Sequence, residues 1–88
     1  MDSTDKPLRL SGHALQQMAH RGATEGEVVA AVRNGGWGPA GSGRQDSRLD
    51  FSFDATWNGK YYTTKQVRPV FVEERDEIVV VTVYVYYF

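Results

Sequence analysis

Apolar positions concentrate at the end of the chain. Residues Ile78 to Phe88 read IVVVTVYVYYF, β-branched or aromatic throughout, with no charge, glycine or proline. Strand alternation divides them into two faces. Val79, Val81, Val83, Val85 and Tyr87 form one, and Ile78, Val80, Thr82, Tyr84 and Tyr86 form the other. The valine face is expected to be the core face. A strand this apolar at a sheet edge would pair with other molecules, so the pattern places it inside a sheet with neighbours on both sides.

Upstream the apolar period is helical. Ser11 is an N-cap, and a helix is expected from about Gly12 to His20, stopped by Gly22. Ala14, Leu15, Met18 and Ala19 form its apolar stripe, with Leu10 and Leu15 placed as a hydrophobic staple. Thr24-Glu25-Gly26-Glu27 is a capping box opening a second helix, whose apolar face is Val28, Val29, Ala31 and Val32 and whose end is Gly35. The three-residue link predicts a helical hairpin. Asn34 to Gly43, NGGWGPAGSG, has no period and reads as a mobile loop in which Trp37 is the one anchor.

Leu49 to Asp54 alternates, and Asn58-Gly59 is a type I′ hairpin signal, predicting an antiparallel pair of about Leu49–Trp57 with Lys60–Val67. Pro69 interrupts the run, Val70-Phe71-Val72 resumes it, and Glu73 to Asp76 turns into the last strand. The expected fold is α+β: an N-terminal helical hairpin packed on one face of a small antiparallel sheet of three to four strands, with the C-terminal strand interior. Residues 1–7 are expected to be a disordered tail and 8–88 a single domain.

Composition narrows the chemistry. The 88 residues suffice for one core. The lack of cysteine excludes a disulfide scaffold, cysteine-ligated zinc and thiol catalysis. The polar start MDSTDKP is not a signal peptide, and the last strand is too short for a spanning helix, so a cytoplasmic protein is expected. Net charge is −1, without the basic surplus of a non-specific nucleic-acid binder. Charge is uneven, however. Arg44 to Arg68 carries five cations against three acids, whereas Glu73 to Glu77 carries four acids against Arg75.

Candidate chemistry rests on few residues. His13, in the first turn of a helix, suits a base that works neutral, because the helix N-terminus disfavours imidazolium; a surface or capping histidine is the plainer reading. His20 lies ~10.5 Å further along the axis, too far to share a metal, and no metal or other cofactor is expected. Arg21 fits either a helix C-terminal cation or a phosphate contact. Lys65 and Arg68, near Tyr61 and Tyr62, suit phosphate binding and base stacking or, more commonly, a solvated strand face. Thr82 and Tyr84 share a face and carry hydroxyls able to meet a phosphate or simply to form a half-exposed sheet surface.

Taken together, Leu10-Ser11-Gly12-His13-Ala14, Met18, Arg21-Gly22-Ala23-Thr24 and Glu27-Val28, with the closing Val81-Thr82-Val83-Tyr84, resemble the signature of domain-of-unknown-function family 4258. That family is grouped with the bacterial ribonuclease-toxin fold shared by barnase-like, EndoU-like and RelE-like proteins. The likeness covers about residues 8–35 and 67–86. It implies a metal-independent ribonuclease-like site in which the family's histidine is His13, its second arginine Arg21, and its closing threonine and tyrosine Thr82 and Tyr84. The family's first arginine is here Gln17, one phosphate cation fewer.

Two functions follow. The first is a toxin-type endoribonuclease that cleaves RNA by attack of a 2′-hydroxyl on phosphate. His13 would be base or acid, Lys65, Arg68 or Arg21 would steady the phosphorane, and Thr82 and Tyr84 would orient or donate. Its partners would be RNA and a cognate antitoxin. The second is a non-catalytic interaction module or homodimer on the same fold, consistent with the mild acidity and with Gln17.

Overall fold

The computed structural model describes residues 6–88. Its elements run β1 (Leu8–Leu10), α1 (Gly12–Arg21), α2 (Glu25–Asn34), β2 (Gly38–Gly41), β3 (Arg44–Asp46), β4 (Leu49–Trp57), β5 (Lys60–Glu73) and β6 (Ile78–Tyr87). The sheet order is β1-β6-β5-β3-β2, with β4 also on β5. The expected helical hairpin on three or four antiparallel strands is therefore corrected. Among the described residues 52% are strand and 24% helix, and the sheet they form has six strands and is mixed. β1 runs parallel to β6, Leu8 opposite Ile78 and Leu10 opposite Val80.

The hub is β5 rather than β6. β5 pairs with β6 from Lys65 to Glu73. Its other edge pairs with β4 over Lys60–Val67 and with β3 at Val70 and Phe71. β6 has a strand on both sides only at Ile78 to Val80. Farther along, α1 caps its carbonyls instead: the Ser11 hydroxyl donates to Val81 O at 3.1 Å and Arg21 Nη1 to Val83 O at 2.7 Å. The extra strands are β1, whose Leu8-Arg9-Leu10 reads as no more than a short extended segment, and the Gly-Pro-Ala-Gly of β2, which has little strand character. They are recruited by backbone groups on β6 and β3 that would otherwise lack partners. Gly38–Gly41 and Arg44–Asp46 thus form a hairpin where an unstructured loop was expected, turned by positive φ at Gly41, Ser42 and Gly43.

Alternation along β6 is also corrected. Val70 faces Thr82 but Phe71 faces Val80, so Val81 is an extra, bulged residue. A bulge resets the pleat. The helix-covered face becomes Ile78 and Val80 before it and Val83, Val85 and Tyr87 after it, while Val79 falls on the opposite face. Ile78, Val80 and Val83 are fully buried, together with Ala14, Val28, Ala31, Val32, Val67 and Phe71. α1 lies on β6, and α2 lies on β5 and β4. Leu15 is 50% exposed, outside the core stripe in which it was expected.

The caps form as their residues dictate. Ser11 Oγ accepts from Ala14 N, Thr24 and Glu27 complete the capping box, and Gly22 stops α1 in the left-handed region at φ 81°. Trp37 is anchored, its Nε1 donating to Val32 O at 2.8 Å and its ring edge-on to Phe71. The disordered tail expected over residues 1–7 falls, for residues 1–5, outside the described residues. Lys6 bonds Glu73 at 3.1 Å, and Pro7 O accepts from Ile78 N.

Gly35, after α2, is the tightest glycine against rigid backbone. A β-carbon there would lie 2.6 Å from Ala31 O and 2.8 Å from Arg48 O. Gly35→Ala is expected to cost about 2–3 kcal/mol through overpacking, read as a lower urea midpoint with an unchanged slope.

Candidate functional site

After the Val81 bulge, every second residue of β6 points to the face that carries no helix: Thr82, Tyr84 and Tyr86. On β5 their partners are Val70, Arg68 and Gln66, and Asp46 of β3 lies opposite Val70. Arg68 Nε donates to Asp46 Oδ2 at 2.7 Å, its Nη1 donates to Tyr86 Oη at 3.3 Å, and its guanidinium carbon lies 5.4 Å from the centroid of the Tyr84 ring. The Tyr86 hydroxyl and then the Asp46 carboxylate raise the pKa of this guanidinium and hold its charge.

The second cation arrives from the helical layer. Arg21 ends α1, reaches Val83 O at the edge of β6, and sets its guanidinium 4.8 Å from the same Tyr84 ring. Each placement is a cation–π contact. Arg68 has a carboxylate partner; Arg21 has none among the described residues. Arg21 therefore retains N–H donors for an external anion.

A half-buried cluster on the helix side, centred on the buried Lys65, fixes the backbone of Arg21. The Tyr87 hydroxyl donates to Arg21 O at 2.6 Å. Lys65 is 5% exposed, and its ammonium donates to Gly22 O and pairs with Glu27 at 2.7 Å. Tyr87 stacks on Trp57 at 5.1 Å and meets Phe53 and Tyr62 edgewise or tilted. Burial, then the Glu27 charge, raises the Tyr87 pKa, which keeps its hydroxyl a donor. Burial pushes the Glu27 carboxyl up, but its hydrogen bonds from Lys65 and Thr24 and the Lys65 charge outweigh it and hold the carboxyl below 4.5.

Of the residues singled out in the sequence, the structure brings Arg21, Arg68 and Tyr84 together, with Thr82 next along the same face. Lys65 is not with them; it lies on the opposite face, bound to Glu27 and Gly22. His13 is exposed in the first turn of α1. With Gln17 and Arg21 it follows an i, i+4, i+8 spacing along one stripe of α1, which sets its Cα ~12 Å along the helix axis from that of Arg21. Asp46, Tyr86, Glu27 and Tyr87 are not among the candidate site residues of the sequence, where Glu27 figures only as a helix cap and in the family signature. The contacts of Asp46 and Tyr86 with Arg68 depend on the strand register, whereas alternation alone already sets Tyr86 beside Tyr84 and Tyr87 on the covered face.

Among the described residues no three His, Cys, Asp or Glu side chains converge as metal ligands. A shallow cleft of about 420 Å³ at the β2–β3 hairpin, lined by Trp37, Pro39, Arg44 and Gln45, contains none of the site residues. No described helix is long and apolar enough to cross a membrane. A family model described as Domain of unknown function (DUF4258) matches residues 10–85. No curated protein and no solved structure matches the chain.

Proposed function

The chain belongs to the DUF4258 family, and from that membership and the site geometry we propose a metal-independent endoribonuclease of the bacterial toxin type. Its fold would be of the RelE/barnase/EndoU kind, and it would act in the cytoplasm under a protein antitoxin. The observation that carries the reading is the pair of guanidiniums over Tyr84, of which Arg21 has no carboxylate partner among the described residues. In the reaction the 2′-oxygen attacks phosphorus while a base, His13, takes its proton. The P–O5′ bond breaks, and an acid, Tyr84, protonates the departing 5′-oxygen. The products are a 2′,3′-cyclic phosphate and a 5′-hydroxyl. Arg21 and Arg68 stabilise the extra negative charge on the phosphorane, and Arg does so bidentately. Thr82 orients the phosphate, and Lys65 acts at a distance by holding Gly22.

Arg68, already engaged by Asp46 and Tyr86, favours a second reading, a non-catalytic interaction module or homodimer. Induced expression of wild type beside His13→Ala separates the two. Growth arrest with fragmented RNA only in the wild type is expected. Equal arrest by both would remove the base role of His13. Intact RNA with both proteins soluble would favour the module.

A further inference from the structure

We infer that the open face holds single-stranded RNA, with a phosphate at Arg21 and two successive bases splayed on Tyr86 and Phe88. This deepens the ribonuclease reading and rests on it for the identity of the ligand. Tyr84, Tyr86 and Phe88 follow one another at every second position. They are 37%, 39% and 57% exposed on a sheet face that carries no helix. Tyr84 is occupied by the two guanidiniums. Tyr86 and Phe88 take part in no aromatic pair among the described residues, whereas Tyr87, on the covered face, has three ring neighbours.

Both free rings stand on fixed supports. Arg68 donates to the Tyr86 hydroxyl. Phe88 exchanges two backbone hydrogen bonds with Thr64, at 2.8 and 3.0 Å, which places it on the Thr64 side of the sheet. Aromatic side chains on an open sheet face, with a cation at one end, are a stacking platform for bases joined by phosphates. The charge agrees with the order: Arg21, with spare donors, sits at the Tyr84 end, where a phosphate would enter.

Spacing selects a single strand. Two residues of β-strand advance about 6.8 Å, twice the rise of about 3.4 Å between stacked bases in a duplex. Bases on neighbouring platforms are therefore unstacked from one another, as in loops and single strands, and a duplex cannot meet both rings.

The test is fluorescence anisotropy with a labelled 2′-O-methyl hexa-adenylate, which cannot undergo 2′-attack, alone and annealed to its complement. The single strand should bind and the duplex should bind more weakly. Tyr86→Ala and Phe88→Ala should each raise the Kd roughly 5- to 100-fold without lowering the melting temperature, and Tyr86→Phe should bind like wild type. No binding of the single strand, equal binding of the duplex, or unchanged binding by both alanine variants would overturn the proposal. Normal single-strand binding by a wild type that leaves unmodified RNA intact would remove the nuclease and keep the platform. Cleavage with unchanged binding by the alanine variants would do the reverse.

Discussion

Replacing Arg21 by alanine is expected to slow RNA cleavage by about 10²–10³-fold while the protein remains folded. The size follows from what Arg21 does in the proposed transition state. It is the guanidinium without a carboxylate partner among the described residues, placed at the Tyr84 ring by a bond to Val83 O. Loss of that bond costs only about 1 kcal/mol of stability, and no buried charge is left behind, so the melting transition should barely move. Arg21→Lys keeps the charge but not the planar fork, and should recover only part of the rate. Arg68→Ala should cost less, since its guanidinium is shared with Asp46. Single-turnover cleavage of an end-labelled RNA measures all three. A rate for Arg21→Ala equal to wild type would remove Arg21 from the chemistry.

The largest stability loss is expected at Glu27. Its carboxylate meets a nearly buried ammonium at 2.7 Å and also accepts from Thr24 N in the capping box. Glu27→Ala leaves Lys65 with Gly22 O as its one remaining acceptor, at a cost of about 3 kcal/mol, the low end for breaking a buried pair. Glu27→Gln, which can still accept at both bonds, should cost less. Lys65→Met with Glu27→Gln should recover most of the loss, because a neutral pair of similar volume needs no desolvation of charge. The folded carboxyl titrates below its ordinary value of 4.5. Its contribution is therefore complete above that value and is lost as pH falls through the lower folded pKa. Urea unfolding across pH 3–7 should show this acid fall in wild type and a smaller one in Glu27→Gln. Parallel curves would mean that the pair does not stabilise the fold.

The legible parts of this fold were local in cause. Ser11, Thr24 and Glu27 mark helix starts by side-chain reach, Gly22 marks a stop by its φ, and Asn58-Gly59 marks a turn that does join β4 to β5. What was not legible depended on partners distant in sequence. Gly38–Gly41 has no strand-forming side chains, and β3 seats it beside the hub. Leu8–Leu10 is a strand because Ile78–Val80 offers an edge. The bulge at Val81 has no signature within IVVVTVYVYYF, yet it exchanges the faces of the three residues before it. Arg68 and Tyr84 share a face through this register, and Lys65, three residues before Arg68, necessarily points the other way. The meeting of Arg21 with Tyr84 was legible only through family resemblance, since no spacing rule carries a helix end around a strand edge.

The most direct test of the proposed site is product analysis. Purified protein is incubated with a labelled single-stranded RNA in excess chelator, beside the same sequence with 2′-deoxyribose. The site predicts cleavage of the ribose strand without metal, products ending in 2′,3′-cyclic phosphate and 5′-hydroxyl, and an intact deoxy strand. An intact ribose strand, equal cutting of both strands, or cutting that appears only when a divalent metal is restored would contradict it.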